Sequence, residues 1–358
     1  MFPKIDYTLI KKTLKKVFLN RITGFLIHPQ REYARLCRIR EAKIRKHKYE
    51  QSRLIFQNHL NDFYKNEQAI KLVWFNGFAN FGDALSPLLV RVLSGRKVQG
   101  FWDRTDRSEN SLLALGSVIC RVQEGDIVWG SGIREGEYKN LKKGLSIKVN
   151  AVRGPITRKL LLSKSIFCPE VYGDPSLLFP FIYRPRVPKI FDVGIVRHYF
   201  DKSTCKGPTK INHQIIDVED DPFSVINKIC SSKIILSSSL HGIILAEAYG
   251  IPALWLRPHK ILWSNSYLEP PVKYVDYFLS TSRNSYYFKY NESLEVERAM
   301  EVALNVPRPT FPDLGKLLLS FPFLHPRIKK ISDLGLFALD ENKIEGFSPS
   351  IRQADLGL

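Results

Sequence analysis

One stretch, Lys233–Leu256, restricts the fold more than any other part of the chain. It reads KIILSSSLHGIILAEAYGIPALWL. Ile234–Leu236 form an apolar strand and Ser237-Ser238-Ser239-Leu240-His241 a turn. Gly242 opens a helix, Gly250 ends it, and Pro252 stops it from continuing. Ala253–Leu256 is then a second strand. Strand, helix and strand in so short a span is the βα rhythm of a mostly parallel sheet.

The same rhythm starts at residue 71. Lys71–Phe75 (KLVWF) is a short buried strand, followed by a polar loop and a helix around Leu85–Leu93 that Gly95 closes. Asp126–Trp129 and Ser146–Val152 are strands running into Gly130-Ser131-Gly132 and Arg153-Gly154-Pro155. A helix follows Pro155, and Val171–Tyr172 leads into Gly173-Asp174-Pro175. A Pro- and Arg-rich linker, Pro180–Lys189, separates this series from a second one. There Asp192–Val196 and Ile215–Val218 are strands and Pro222–Cys230 a helix. The expectation is an α/β protein of two Rossmann-like domains facing a cleft, 71–182 and 190–325. A basic helical arm, 1–70, precedes them, and a weakly structured tail, 326–358, follows. Ligands in such sheets bind beyond the carboxyl ends of the strands, where these loops lie.

The chain has 358 residues, 44% hydrophobic and 25% charged, which suits a globular core and excludes a mainly disordered protein. Its net charge is +19, yet residues 1–70 alone hold 16 Lys and Arg against 6 Asp and Glu. Ile10, Leu14, Phe18, Ile22 and Phe25 recur at helical spacing between lysines. Two readings of this arm stand: contact with an anionic membrane surface through residues 7–48, or a helical extension packed on the body with a solvated basic face. The body lacks the interleaved basic and aromatic platform of a nucleic-acid binder, so no nucleic acid is expected. Five cysteines without a CxxC pair argue against a disulfide framework or zinc site and for a reducing compartment. No apolar run reaches the roughly 20 residues of a membrane span, and Lys11, Lys12, Lys15 and Lys16 interrupt any leader core. The expected place is the cytoplasm, on the inner membrane face if the arm binds there. No carboxylate–His cluster has ligand spacing, so neither metal nor cofactor is expected.

The candidate chemistry lies in the loops. Backbone N–H groups at the helix start by Gly242 make an anion site, Ser238 and Ser239 add hydroxyl donors, and His241 titrates near neutral pH beside them. In Asn76–Pro87 (NGFANFGDALSP), Pro87 favours Ser86 as the helix cap, which frees Asp83 to face the cleft, while Asn80 suits a sugar hydroxyl. Arg153 just past a strand suits a carboxylate or phosphate. Asp174 most simply stabilises a turn. Arg197 and His198, after the first strand of the second domain, point at the cleft mouth, and Lys273 is the last cationic candidate. Each of these also has a plain structural reading as a cap, a turn or a surface ion pair.

Taken in order, NFGDALSP, RGP at Arg153–Pro155, GDPSLL at Gly173–Leu178, the strand ending in His198-Tyr199, SSLHGIILAEAYGIPALWL and KYVDY at Lys273–Tyr277 resemble the polysaccharide pyruvyltransferase family over residues 72–277. The resemblance implies a pair of Rossmann domains like those of B-type glycosyltransferases. It also implies phosphoenolpyruvate as donor and a glycan or lipid-linked oligosaccharide as acceptor. Arg153 and Lys273 fall on the family's cationic donor site and His241 on its central histidine. Two departures stand out: Ser239 occupies a place where some members have Arg, and Arg197 one where many have Pro. On this reading His241 protonates the enol and stabilises departing phosphate, with His198 or Asp83 as base toward the sugar. The competing readings are a B-type glycosyltransferase using a nucleotide sugar, and a non-enzymatic membrane or nucleic-acid adaptor.

Overall fold

The computed structural model describes residues 68–326 and 328, apart from 76–78, 102–109, 135, 137, 199–200, 202–203, 206–209, 259–270 and 291–292. The basic arm through residue 67 and the tail beyond 328 lie outside the described residues, as do Asn76, Gly77 and Tyr199.

In chain order the elements begin with β1 (Ile70–Val73), α1 (Phe81–Ser94), β2 (Val98–Phe101), β3 (Leu112–Leu113), β4 (Ile127–Trp129), β5 (Lys148–Ala151) and α2 (Pro155–Ser163). A 3-10 turn, Pro175–Leu178, and the short α3 (Phe179–Ile182) follow. The second series is β6 (Phe191–Arg197), β7 (Thr204–Cys205), β8 (His213–Asp217), α4 (Pro222–Cys230), β9 (Ser232–Ser237), α5 (Leu240–Ala248) and β10 (Ala253–Pro258). It continues through α6 (Val272–Ser280), β11 (Tyr287–Tyr290), β12 (Ser293–Leu294), α7 (Val296–Leu304) and α8 (Leu314–Leu319).

Two five-stranded sheets result, ordered β2-β1-β3-β4-β5 and β11-β10-β9-β6-β8, and every ladder in them is parallel. Apolar runs such as IKLV, IVW and the centre of SKIILS explain this, because strands covered on both faces read as continuous hydrophobic segments. Val73, Leu113, Val128 and Val149 are buried in the core of the first sheet; Ile195, Ile234, Leu236 and Leu254 are buried in the second. Counting only the strands of each sheet in chain order, both sheets have the order 2-1-3-4-5. The order reverses beside the first strand of each, between β1 and β3 and between β6 and β9. Such switch points are where doubly wound sheets open a crevice for ligands.

Several local expectations need correction. Helix α1 begins at Phe81, not near Leu85, and its cap is Asn80, whose Oδ1 accepts from Gly82 N at 3.0 Å. Asn caps as well as Ser, and the fully buried Phe81 draws the first turn into the core. Pro87 therefore sits inside the helix, where it lacks the N–H that would bond to the Asp83 carbonyl. Helix α5 opens at Leu240, not Gly242, so His241 belongs to its first turn. Val171–Tyr172 makes one bridge to Val152 instead of a strand. The chain also returns late to the first sheet. Trp129 Nε1 donates to Leu317 O at 2.8 Å, Asn150 Nδ2 donates to Ser320 O at 2.7 Å, and the Phe321 and Trp129 rings lie 4.5 Å apart.

Candidate active site

The two crests of strand ends meet each other. Phe81 N, opening α1, donates to Val218 O, beyond β8, at 2.8 Å. His241 in α5 meets the first series from the other side. A Cβ placed on Gly82 would fall 2.1 Å from His241 Nδ1, so only glycine leaves room for this imidazole. The Nε2 atom of the same ring lies 3.9 Å from Asp174 Oδ2. The His241 side chain is 12% exposed and that of Asp174 is 0% exposed.

Burial lowers the His241 pKa to about 4, with Asp174 opposing the shift and Arg153 and Lys273 adding to it. The imidazole is thus neutral at physiological pH in the free protein. Asp83 behaves oppositely. Burial raises its carboxyl to about 7, against the pull of Lys273 and Arg134. Its Oδ1 stands 3.7 Å from where a Cβ on Gly116 would be, so it faces the turn after β3. That turn and the α1 start flank the first switch point. Lys273, the second residue of α6, also lies against the Tyr274 ring at 5.2 Å.

Arg153 is placed as a seam residue. At 1% exposure its Nη1 donates to Ser117 Oγ at 2.8 Å and its Nη2 donates to Ile133 O at 2.7 Å. Its Nε stands 3.4 Å from Asp276 Oδ2. Asp276, from α6, is itself fully buried. Its Oδ1 accepts from Ile156 N and Thr157 N at 2.9 and 3.0 Å, and its Oδ2 accepts from Thr157 Oγ1 at 2.6 Å. It therefore supplies α2 with the cap that Gly154, lacking a side chain, cannot. The RGP and KYVDY segments form one joint between the two series, and the Arg153 guanidinium acts there chiefly as a fixed, buried charge.

The remaining candidates are placed as follows. Ser238 Oγ donates to Asp201 Oδ2 at 2.6 Å and accepts from His198 N at 3.0 Å. Its one proton is therefore engaged with Asp201 in this structure. Asp201 Oδ2 also accepts from Tyr290 OH, while Tyr274 OH donates to Ser238 O. Ser239 takes the cap position of α5, although its side chain makes no capping bond. Gly242 is a packing residue: a Cβ there would fall 2.4 Å from Ser237 Oγ and 2.9 Å from Val196 Cγ1. The N–H groups that lack an intrahelical acceptor are those of Leu240, His241 and Gly242. Arg197 ends β6 in register with Asp217 and His198 follows it; both are half-buried. Asn80 is engaged as a cap through Oδ1.

The structure thus brings Asp83, Arg153, Lys273 and His241 into one electrostatic neighbourhood. It adds Asp174, Asp276 and Arg134, which sequence reasoning did not place there. Asp174 had a detectable signal: it lies in GDPSLL, one of the segments already singled out. Among the described residues no group of three or more His, Cys, Asp or Glu is disposed to hold a metal ion, and no helix is long and apolar enough to cross a membrane.

Two like-ordered parallel sheets, with charged and imidazole groups where their strand ends meet, define an α/β protein. The chain belongs to the polysaccharide pyruvyl transferase family, whose model matches residues 80–260. It is similar to an uncharacterized protein of Acanthamoeba polyphaga mimivirus, 28% identical over 227 residues, which are 59% of this chain and 74% of that protein. It is also similar to the succinoglycan biosynthesis protein ExoV of Rhizobium meliloti (strain 1021), 28% identical over 188 residues. That match covers 50% of this chain and 56% of ExoV, so the chain spans little more than half of that relative. A crystal structure of a functionally uncharacterized Klebsiella pneumoniae protein matches 66% of this chain and 98% of its own at 15% identity. Its TM-score of 0.34 is too low to carry an argument.

Proposed function

We propose that this protein moves the pyruvyl group of phosphoenolpyruvate onto two hydroxyls of one sugar in a polysaccharide or lipid-linked glycan, forming a cyclic ketal and releasing phosphate. The observation that carries the reading is the shared environment of His241, Lys273, Arg153 and Asp83, all within or beside the segment matched by the family. The donor carries a carboxylate and a phosphate, close to three negative charges, and demands cations and aligned amides. Lys273, Arg134 and the first amides of α5 would hold it, with Arg153 as fixed charge and Arg197 as a further cation at the rim. The two halves, 71–182 and 190–325, would work as a B-type glycosyltransferase-like pair around a cleft, without metal or cofactor. The basic arm would hold the enzyme to the anionic inner face of the membrane, where lipid-linked acceptors lie.

In this reading the donor's charge, arriving beside His241, raises the proton affinity that burial had lowered. The imidazolium then gives its proton to the enol methylene. The π electrons form the new C–H bond, and the neighbouring carbon becomes an acceptor. A sugar hydroxyl oxygen bonds to that carbon while the Asp83 carboxylate takes its proton, a role that His198 would fill if Asp83 does not. The second hydroxyl oxygen displaces phosphate, which leaves with the C–O electron pair and the second proton.

The test is incubation with phosphoenolpyruvate labelled in the pyruvyl carbons and a glycan extract. Label on the glycan with an equal amount of free phosphate supports the reading. Release of UDP or GDP from a sugar nucleotide, with no label transferred, replaces it with glycosyl transfer.

A further inference from the structure

Asp174 is held in a way that a turn-forming residue does not require. Its Oδ1 accepts from Ser176 N at 3.0 Å and from Ser176 Oγ at 2.6 Å, which completes the turn. Its Oδ2 is buried, makes no hydrogen bond, and points at His241 Nε2, which is also buried without one. The gap of 3.9 Å exceeds the usual N–H···O distance by about 1 Å. A buried polar atom left unpaired costs about 1–3 kcal/mol, and here two of opposite character face each other. Ser176 fixes the carboxylate plane, and Gly82 lets the ring lie against α1 on its Nδ1 side.

We propose that Asp174 is a positioning residue that keeps a proton on Nε2 of His241, so that Nδ1 is the nitrogen that exchanges a proton with the ligand. The identity of that ligand rests on the pyruvyl-transfer reading, whereas the tautomer does not. A carboxylate only accepts, so beside a neutral imidazole it selects the Nε2–H form. Beside the imidazolium it stabilises the charge. The other groups facing this ring are the cations Arg153 and Lys273, which disfavour the imidazolium. Asp83 follows Gly82 on the helix packed against it. Asp174 is thus the group that offsets the two cations.

The experiment is nitrogen NMR of the full chain with labelled histidine, without substrate, with the His241 signal assigned by its loss in His241→Gln. Wild type is expected to carry the Nε2–H tautomer. In Asp174→Asn the new amide donates to Nε2 and moves the proton to Nδ1. Steady-state transfer by the same variant should lose about 10²- to 10⁴-fold in kcat with KM for phosphoenolpyruvate changed less than about threefold. If Asp174→Asn fails to fold, Ser176→Ala keeps the carboxylate, loosens its plane, and should give a mixture of tautomers. An Nδ1–H tautomer in wild type, or an unchanged tautomer and kcat in Asp174→Asn, overturns the proposal. A tautomer that switches as expected in a protein that transfers no pyruvyl group overturns the function and leaves the positioning role standing.

Discussion

Arg153 and Asp276 stand 3.4 Å apart, at 1% and 0% exposure, and neither can be removed without stranding the other's charge in the core. Breaking a buried pair by deleting one partner costs about 3–5 kcal/mol. Asp276→Ala also strips the cap from α2. The melting temperature should fall by about 6 °C or more, measured by calorimetry. A drop under about 2 °C would mean that the joint contributes little.

Gly82→Ala should leave the fold intact and disable the site. Alanine is the better helix former by about 1 kcal/mol, so propensity alone predicts slight stabilisation. The added methyl, however, would overlap the His241 ring and stand 2.8 Å from its Cβ, so the ring must rotate and α5 must also shift slightly. The expected result is a melting temperature within about 4 °C of wild type and transfer reduced at least about tenfold, equivalent to about 1.4 kcal/mol of lost transition-state stabilisation. Near-normal turnover would show that this imidazole position is not the working one.

Asp83 should make stability and activity depend on pH in opposite senses. Its folded pKa, about 7, lies above the ordinary 3.8. The contribution to stability is therefore complete below about 4 and is lost as pH rises through 7. Asp83→Asn should gain stability over wild type at pH 8 and show little difference at pH 4, by thermal melts at both. If the carboxylate is the base, wild-type kcat/KM rises through pH 7, and the variant is slow throughout.

A second buried pair closes the far end of α5. Arg283 Nη1 and Nη2 donate to the two oxygens of Glu247 at 2.9 and 2.8 Å, and Tyr277 OH donates to Glu247 Oε2 at 2.6 Å. Arg283→Met alone should cost about 3–5 kcal/mol, because the Glu247 carboxylate stays buried without its cation. The double change Glu247→Leu with Arg283→Met should recover most of that loss in urea denaturation. Equal losses in the single and double variants would contradict this account.

The parallel architecture was legible because its evidence is local. DIVW lies between glycines, KLVW runs toward Gly77 and KIIL into a serine turn before Gly242, while Pro222–Cys230 carries both a proline start and an amphipathic face. β3 was not legible, since two residues leave no periodicity, nor were the edge strands β2 and β11, whose VQGF and YFKY mix polar and apolar positions. Loop context singles out His241 and Asp83, which the structure places near the same cation, Lys273. Asp276 carries no such signal, and Asp174 shows only its turn role, because their further contacts involve partners more than 60 positions away, Thr157 for one and His241 for the other. No spacing rule reaches that far. The cap of α1 was misplaced for a smaller reason: Pro87 looked like a helix start, while buried Phe81 and the Asn80 side chain outweighed it.

The return of α8 to Trp129 bears on how the molecule comes into being. The indole N–H of Trp129 finds its acceptor at Leu317, 188 positions later. During synthesis the first sheet is extruded whole yet stays unfinished on that flank until every strand of the second has followed. An early stop, or a cleavage just before α8, would leave a nascent half with an open tryptophan face, the kind of surface that chaperones grip.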